Sequence, residues 1–244
     1  MADAGHGNNT ETIAGRRTLA IDVGGTGLKA AIIDDHGQML TDRARVLTPV
    51  GATPDKVVQV LANLVAPLGA FDRVSVGFPG VVRSGRVLTA ANLGNDAWQG
   101  FDLSKALGAA LGKPVRVAND ADLQGLAVIA GKGVEMVITL GTGFGTGLYL
   151  DGRLGPHLEL AHHPFRHGET YEQQLGNAAR KEVGGGRWSK RVKKAIDTVR
   201  RLTHFDHLYV GGGNAKKLDF TPDPDVTIVS NEAGMKGGIA LWRD

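Results

Sequence analysis

The sequence contains no cysteine and no apolar run long enough to cross a membrane. Without Cys, thiol catalysis, thiolate zinc sites and a disulfide framework are excluded. A membrane-spanning helix needs about 20 consecutive apolar residues, so we expect no membrane partner. Residues 1–17 are polar and lack a hydrophobic signal core, so we expect a mobile tail and a cytoplasmic protein without a secretion signal.

Aromatic residues are also scarce, at 5%, and the formal net charge is only +3. Because aromatics are few and no recognition motif is present, nucleic acid is not an expected partner. A hydrophobic content of 42% is ordinary for a globular protein, and 244 residues fit one large domain or two small ones. Glycine is the excess, with 36 residues against a usual share of about 7%. Glycine permits tight turns and close approach of the backbone to a ligand, so the glycine clusters are candidate ligand sites.

Hydrophobic alternation and turn signals predict an α/β protein that begins with a strand meander. A helix is expected to begin at Thr53-Pro54-Asp55, where Pro and Asp favour a helix start. The other expected elements are strands at 18–23, 27–33, 38–48, 73–77 and 115–118, and helices at 104–111 and 120–130.

A second meander at Glu135–Leu150 resembles the first one. At an offset of 117 residues, Ala20–Thr26 aligns with Val137–Gly143, and Asp34 aligns with Asp151. Such a repeat predicts two related α/β halves that face each other across a cleft, which is a favoured place for small ligands. The alternative interpretation is that two glycine-rich hairpins merely look alike.

The first glycine turn, Gly24-Gly25-Thr26, follows Asp22 at the end of a predicted strand and precedes Lys29. Glycines let backbone N–H groups approach an anion closely, and Thr26 adds a hydroxyl donor. A carboxylate does not bind phosphate directly, but Asp22 can hold Mg²⁺, usually through water, and the metal then bridges phosphates. The sequence therefore predicts a phosphate cradle, with a plain tight hairpin as the alternative.

Two further glycine turns are candidate cradles. Gly141-Thr142-Gly143 lies at the equivalent turn of the second meander, and Gly212-Gly213 follows a predicted strand at His207–Val210. Strand pattern rather than a helix follows Gly143, which argues against a dinucleotide fingerprint, and no Walker A pattern is present. Together, the repeated turns favour binding of a phosphate-containing ligand.

Ionisable and amide groups cluster after these turns. Asn119-Asp120 follows the predicted strand at 115–118, where Asp120 is either a helix N-cap or a base in a cleft. Glu159 and His162 follow a Gly-Pro turn, and Glu172 comes in the next helical stretch. The histidines of this region do not predict a transition-metal site, because Cys is absent and no helical i, i+4 His pair flanks a Glu.

Taken together, these motifs resemble the ROK family of sugar kinases, which has the actin-like ATPase (ribonuclease H-like) α/β fold with two domains and an interdomain cleft. The resemblance spans about residues 18–244, and within the family it is closest to the polyphosphate glucokinases. Asp22–Lys29 and Gly141–Gly147 match the family's two phosphate motifs. The other matching segments are Gly77-Phe78-Pro79-Gly80, Asn92-Leu93 with Trp98, Asn119-Asp120-Ala121, Glu159-Leu160-Ala161-His162, Glu172, and Leu208–Asn214.

Two departures from the family pattern stand out. Ala161 occupies a position where the family usually has Gly, so the local backbone is expected to differ slightly. The family's three-Cys zinc motif is absent, as it is in polyphosphate-type members, so no structural zinc is expected.

The resemblance implies an enzyme that transfers a phosphoryl group from polyphosphate or ATP to the 6-hydroxyl of glucose. It implies Mg²⁺ as cofactor, Asp120 as the general base, and a homodimer. The sugar-binding residues implied are Asn92, Asn119, Asp120, Glu159, His162 and Glu172. The phosphate-binding residues implied are Asp22, Gly24, Gly25, Thr26, Lys29, Gly141, Thr142, Gly143, Gly212 and Gly213. The domains expected are a small one at 18–118, completed by a C-terminal helix at 232–244, and a large one at 119–231.

Positive charge is concentrated in residues 180–201, which carry nine basic and two acidic side chains. A helical apolar stripe there predicts that the basic groups lie on the exposed face, its members being Trp188, Val192, Ala195, Ile196, Val199 and Leu202. Either this face is simply solvated, or it is a track for a linear polyanion such as polyphosphate.

Other functions remain as alternatives to glucose phosphorylation. The sugar could be mannose, fructose or an N-acetylhexosamine. A polyphosphate or ATP hydrolase would need the cradles but would leave the candidate sugar-binding residues without a purpose, namely Asn92, Glu159, His162 and Glu172. A sugar-responsive repressor would share the fold but needs a DNA-binding module, which the 17 N-terminal residues cannot form. An actin-like filament protein would also share the fold but would need assembly surfaces. The preference between donors and the hexose specificity stay open at this point.

Overall fold

The computed structural model describes residues 15–90, 93–229 and 237–243, with Asn95 described by its backbone alone. The strands are β1 (Thr18–Val23), β2 (Gly27–Ile33), β3 (Ala44–Leu47), β4 (Arg73–Phe78), β5 (Val82–Arg83), β6 (Arg86–Val87), β7 (Val115–Asn119), β8 (Val134–Leu140), β9 (Phe144–Leu150), β10 (Arg153–Leu154), β11 (Pro164–Arg166), β12 (Glu169–Thr170), β13 (His207–Gly211) and β14 (Val226–Ile228). The α-helices are α1 (Pro54–Val65), α2 (Asn95–Trp98), α3 (Leu103–Leu111), α4 (Asp120–Leu126), α5 (Tyr171–Leu175), α6 (Asn177–Val183), α7 (Gly185–Thr203) and α8 (Gly237–Ala240).

Two five-stranded sheets have the same topology. The first has the order β3-β2-β1-β4-β7 and the second β10-β9-β8-β13-β14. In each, the first three strands are antiparallel neighbours and the last three are parallel neighbours. The strands β1 and β8 occupy equivalent places, as the offset of 117 residues predicts, so the predicted duplication is confirmed.

Each sheet carries its own apolar core. Helices α1 and α3 cover the first sheet, with Leu61 and Leu107 fully buried among its strands. Helix α7 covers the second sheet, where Trp188 and Val192 are fully buried. The Trp188 indole N–H donates to the Leu175 carbonyl at 2.8 Å, which fixes α7 against α5. These two cores hold the strand ends that carry the glycine turns.

Two sequence-based element boundaries are wrong. The strand predicted at 38–48 begins only at Ala44, because the Asp34 carboxylate accepts the His36 and Gln38 N–H groups and holds the chain in a turn. The helix predicted at 120–130 ends at Leu126, because the Glu135 carboxylate draws the following N–H groups into a loop. The Glu135 carboxylate accepts from Ala130, Gly131 and Lys132 at 2.7, 2.7 and 3.1 Å.

The C-terminal segment packs against the first sheet. A Cβ on Gly237 would lie 1.6 Å from the Leu123 carbonyl oxygen, and one on Gly238 would lie 3.0 Å from the Ser75 Cβ. The Ser75 hydroxyl donates to the Gly238 carbonyl at 2.6 Å and accepts from the Trp242 indole at 2.8 Å. Close packing therefore explains the glycines of α8. Residues 232–236 and 244 of the predicted helix lie outside the described residues.

Within the described ranges, no helix combines the length and apolar character that crossing a membrane requires.

Candidate active site

The glycine turns of both sheets meet at one cavity of about 550 Å³. Parallel strands of the two repeats end there, so residues far apart in sequence converge on it. The sequence-predicted residues that line it are Gly24, Gly25, Thr26, Asn119, Asp120, Gly141, Thr142, Gly143, Glu159, His162, Glu172, Gly212 and Gly213. The structure thus brings together all the predicted site residues except Asp22, Lys29 and Asn92.

Asp22 and Lys29 are not part of the cavity wall. They face each other across the β1–β2 pair, and the Lys29 ammonium contacts the Asp22 Oδ2 at 2.7 Å. Both side chains are about one-third exposed, at 37% and 33%. The charge of Lys29 therefore acts on Asp22 rather than directly on the cavity. The negative charge of Asp22 still contributes to the raised pKa of Asp120. Asn92 lies outside the described residues.

The glycines of the cradles face the cavity with bare backbone. A Cβ on Gly141 or on Gly213 would meet no atom within 4 Å, although both residues line the cavity. Gly212 is different, because its φ is +90° and a Cβ there would lie 2.4 Å from the Leu140 carbonyl oxygen. A side chain at Gly141 or Gly213 would therefore occupy ligand space, whereas one at Gly212 would disrupt the fold.

Asp120 is free to act in the cavity because its neighbour caps the helix. Asn119 is the N-cap of α4, and its Oδ1 accepts the N–H groups of Ala121 and Asp122. The Asp120 carboxylate accepts one bond, from the Ala121 N–H at 2.8 Å. Burial in the cleft, with the charges of Asp22 and Asp122 nearby, raises the pKa of Asp120 to about 6. Between the two sequence-based interpretations, the N-cap role falls to Asn119.

The Asn119 side chain also ties two segments of the wall together. Its amide donates to the Gly80 carbonyl at 3.1 Å, and only 7% of the residue is exposed. Its carbonyl oxygen serves the helix, so one amide hydrogen remains for a ligand. Binding of sugar by Asn119 stays a prediction.

Glu159 and His162 are carried by the segment that follows β10, and Glu172 is carried by α5. A Cβ on Gly143 would lie 2.7 Å from the Glu172 Oε2, which places this carboxylate directly against the second glycine turn. The Glu172 N–H donates to the Ala161 carbonyl at 2.9 Å, which links the two wall segments. Ala161 is buried and is not among the residues with positive φ, so the departure from Gly introduces no backbone strain.

His157 is a wall residue whose role the sequence did not reveal. Its Nδ1 contacts the Asp122 Oδ2 at 2.9 Å and its Nε2 contacts the Glu159 Oε2 at 3.4 Å. Burial alone would lower the pKa of His157, but the bonds to the two carboxylates outweigh it and raise the pKa to about 9. Burial would likewise raise the pKa of Glu159, yet the His157 bond and the nearby His162 bring it below its usual value. An imidazolium thus holds Glu159 ionised.

The remaining newly found wall residues supply hydroxyl, amide and apolar surface, namely Pro79, Gly80, Thr89, Gln124, Thr139, Phe144, Gly145, Thr146 and Ala161. Of these, Pro79 and Gly80 belong to the Gly77–Gly80 turn that carried part of the resemblance. Phe144, Gly145 and Thr146 lie in the Gly141–Gly147 motif, and Ala161 lies in the Glu159–His162 motif. Thr89 lies in a loop, Gln124 in α4 and Thr139 in β8, and no sequence pattern set these three apart. In the described part of the chain, no group of three or more His, Asp or Glu side chains is placed to hold a metal ion.

The model of the ROK family matches residues 18–166, which is more than half of the chain. The chain belongs to the ROK family. The polyphosphate glucokinase of Mycobacterium tuberculosis (strain CDC 1551 / Oshkosh) is 36% identical over 213 residues, covering 84% of this chain and 80% of that protein. The family membership inferred from the sequence motifs is therefore confirmed.

Solved structures agree with this membership. The inorganic polyphosphate/ATP-glucomannokinase of Arthrobacter sp. strain KM has a TM-score of 0.80 and 36% identity, and covers 93% of this chain and 100% of its own. A ROK family glucokinase of Streptomyces griseus, in complex with glucose and AMPPNP, has a TM-score of 0.67 and 21% identity, over 92% and 97% of the chains. At that lower identity the second likeness shows the fold, and the predicted actin-like α/β fold is confirmed.

Proposed function

We propose that this protein is a sugar kinase that transfers a phosphoryl group from polyphosphate or ATP to the 6-hydroxyl of glucose. The observation that carries the proposal is one cavity whose lining combines Asp120, the duplicated glycine turns and the carboxylates Glu159 and Glu172. The phosphotransferase activity predicted from the sequence agrees with the printed names of the Mycobacterium and Arthrobacter relatives.

Asp120 acts as the general base in this proposal. A pKa of about 6 leaves the carboxylate mostly ionised at neutral pH, while keeping it more basic than an exposed aspartate. The carboxylate takes the proton of the attacking hydroxyl as the bond to phosphorus forms. Such help is worth typically about 10²- to 10⁴-fold in rate, and the rest of the acceleration comes from alignment and charge neutralisation.

The glycine turns hold the donor. The backbone of Gly24-Gly25-Thr26 and of Gly141-Thr142-Gly143 faces the cavity from the two sheets, so their N–H groups and hydroxyls can contact phosphate oxygens from both sides. Gly212 and Gly213 extend this surface from β13. Cradles on two sheets suit the in-line arrangement that phosphoryl transfer requires.

Mg²⁺ is part of the proposal, held by Asp22. A partly exposed carboxylate such as that of Asp22 fits this ion, which usually keeps several waters and binds through one or two carboxylates plus substrate phosphates. When bound, Mg²⁺ neutralises charge on the transferring phosphoryl group. The Lys29 ammonium holds the Asp22 carboxylate in place at 2.7 Å and balances part of its charge.

The sugar-binding side is formed by acceptors and donors suited to an uncharged polyol. Glu159 and Glu172 accept hydrogen bonds from sugar hydroxyls. His162 and the free amide hydrogen of Asn119 are the further hydrogen-bonding groups for the sugar. The His157 imidazolium keeps Glu159 ionised, so that this carboxylate remains an acceptor. Asn92, the division into domains at 18–118 and 119–231, the homodimer and the cytoplasmic location remain proposals that rest on the family resemblance.

A coupled assay of the purified protein tests the function. Glucose, mannose and fructose are each offered with ATP and with long-chain polyphosphate, and formation of the sugar phosphate is measured. We expect glucose to be phosphorylated. Failure of every sugar with both donors refutes the kinase, and donor breakdown without sugar phosphate would instead favour a hydrolase.

The variant Asp120→Asn tests the role of the base. We expect kcat to fall about 10²- to 10⁴-fold while glucose binding, measured by calorimetry, is retained. Asp42→Asn is the matched control, because it makes the same chemical change at an exposed position that does not line the cavity. Normal turnover by Asp120→Asn would remove Asp120 from the mechanism.

A further inference from the structure

The basic segment at 180–201 divides into two parts in the structure. Towards the C-terminal end of α7, Arg200 is neutralised by three carboxylates, with contacts of 3.2, 3.0 and 2.9 Å to Asp197, Asp223 and Asp225. Lys193 also lies 3.7 Å from Asp223. This part of α7 therefore offers a polyanion less net charge than the sequence suggests.

A second group of cations lies near the N-terminal end of α7. Its members form no ion pair with any carboxylate of the described residues. We call the five cations at this end the cleft-end cluster, which consists of Arg180, Lys181, Arg187, Lys216 and Lys217. Helix α7 connects to β13, which is parallel to β8, so the helix begins at the end of the sheet where the strands end. That end of the sheet carries Gly212 and Gly213, which line the cavity.

Two members of the cleft-end cluster are linked to the second glycine turn by hydrogen bonds. The Lys217 ammonium donates to the Asn214 Oδ1 at 3.0 Å, and the Asn214 amide donates to the Gly141 carbonyl at 3.2 Å. On the other side, the Arg180 guanidinium donates to the Asn177 Oδ1 at 3.4 Å, and the Asn177 N–H donates to the Gly141 carbonyl at 3.1 Å. One neutral asparagine thus separates each cation from the turn.

Arg180 also has an unused donor. Its Nε is buried and has no hydrogen-bond partner, and its Nη2 reaches only an amide oxygen. An unsatisfied guanidinium N–H is costly unless an acceptor fills the place, and the planar fork of Arg suits a phosphate group. Among the residues described, Arg180 forms no ion pair, and the Asp219 carboxylate lies instead at the start of α7, 3.2 Å from the place of a Cβ on Gly186.

We propose that the cleft-end cluster binds the phosphates of a polyphosphate donor that follow the transferred one. The inference rests on the proposed function, and it assigns the route that the polyphosphate chain takes outside the cavity. The chain leaves the cavity past Gly213, between Arg180 and Lys217, and continues over Lys181 and Arg187. We expect it to bypass the C-terminal part of α7, because Asp197, Asp223 and Asp225 neutralise Arg200 there.

Two variants test this path, Lys217→Gln and Arg180→Lys, together with their combination. Lys194→Gln and Arg201→Gln are matched controls, because they remove the same charge from exposed positions nearer the far end of α7. Initial rates with glucose are measured against long-chain polyphosphate at several salt concentrations, and thermal unfolding checks the fold. Arg180→Lys keeps the charge but loses the fork, so it separates geometry from simple attraction.

For Lys217→Gln we expect the KM for polyphosphate to rise about tenfold, the loss typical of one charge-assisted hydrogen bond, with the KM for glucose unchanged. The slope of log KM against log salt should fall by about one for the cation removed. The controls should change neither quantity.

Three results would overturn the inference. The first is an unchanged KM and salt slope in both cluster variants. The second is an equal effect in the controls, which would indicate diffuse attraction along the helix. The third is a wild-type protein that uses ATP but not polyphosphate. Absence of sugar phosphorylation with either donor refutes the proposed function itself, so the two failures are distinguishable.

Discussion

His157 carries a prediction about stability that can be worked out from its contacts. The imidazole lies between Asp122 and Glu159, with 8% of its side chain exposed, and its pKa is raised from an ordinary value of 6.5 to about 9. A group whose pKa is raised in the folded state stabilises that state fully below its unfolded pKa. The stabilisation is lost as the pH rises through the folded pKa. The window here runs from about pH 6.5 to about pH 9.

The magnitude follows from the same two values. Each tenfold step in proton affinity is worth about 1.4 kcal/mol, so the full rise corresponds to about 3 kcal/mol of unfolding free energy. Asp122 offsets part of this, because burial raises its pKa and makes its ionised form costly in the fold. We therefore expect the net contribution to be smaller than this figure, and to be fully present only below about pH 6.5.

The assay compares urea unfolding of the wild type with that of His157→Gln between pH 6 and pH 9.5. Gln keeps a hydrogen-bond donor for Asp122 but carries no charge. The wild type should be more stable by up to about 3 kcal/mol at pH 6, and the difference should shrink towards zero near pH 9. His36→Gln, at an exposed turn, is the control and should change little. A difference that does not depend on pH, or that grows with pH, would refute the reasoning.

Two further predictions concern the base and the third glycine turn. Because the pKa of Asp120 is about 6 in the unliganded protein, kcat/KM for glucose should fall about tenfold per pH unit below pH 6 and level off above it. A flat profile of kcat/KM against pH would count against this base. Gly213→Val should raise the KM for the phosphate donor about tenfold with little change in thermal stability, because its side chain would enter the cavity wall. Gly212→Ala should instead lower stability by more than about 1–2 kcal/mol, the cost of a φ of +90° alone, because its Cβ would also clash with the Leu140 backbone. Equal unfolding temperatures of the two variants would contradict this contrast.

Much of the fold could be predicted from the sequence because each half of the repeat has local hydrophobic alternation and turn residues that predict its strands. Alternating strands and glycine turns at an offset of 117 residues fix the order of the antiparallel strands in both sheets. The errors arose where a carboxylate within five residues captured backbone N–H groups. Asp34 shortened the third strand, and Glu135 ended α4 early, because carboxylates accept several N–H groups at once. Neither capture has a signal in the periodicity of the segment it changes.

The candidate site also contains residues that local sequence patterns predicted and residues that they did not. Asp120 and the glycine turns were predictable because each directly follows a strand, and strand ends in a parallel sheet meet at one edge. His157 was not, because its partner Asp122 is 35 residues away and their contact depends on how the irregular segment after β10 folds back over α4. The charge of α7 was overestimated for a related reason, since Asp223 and Asp225 neutralise Arg200 from 23 and 25 residues downstream. Counting charges along a segment finds a basic surface, but only the positions of the acidic partners show which end of it remains available to an anionic ligand.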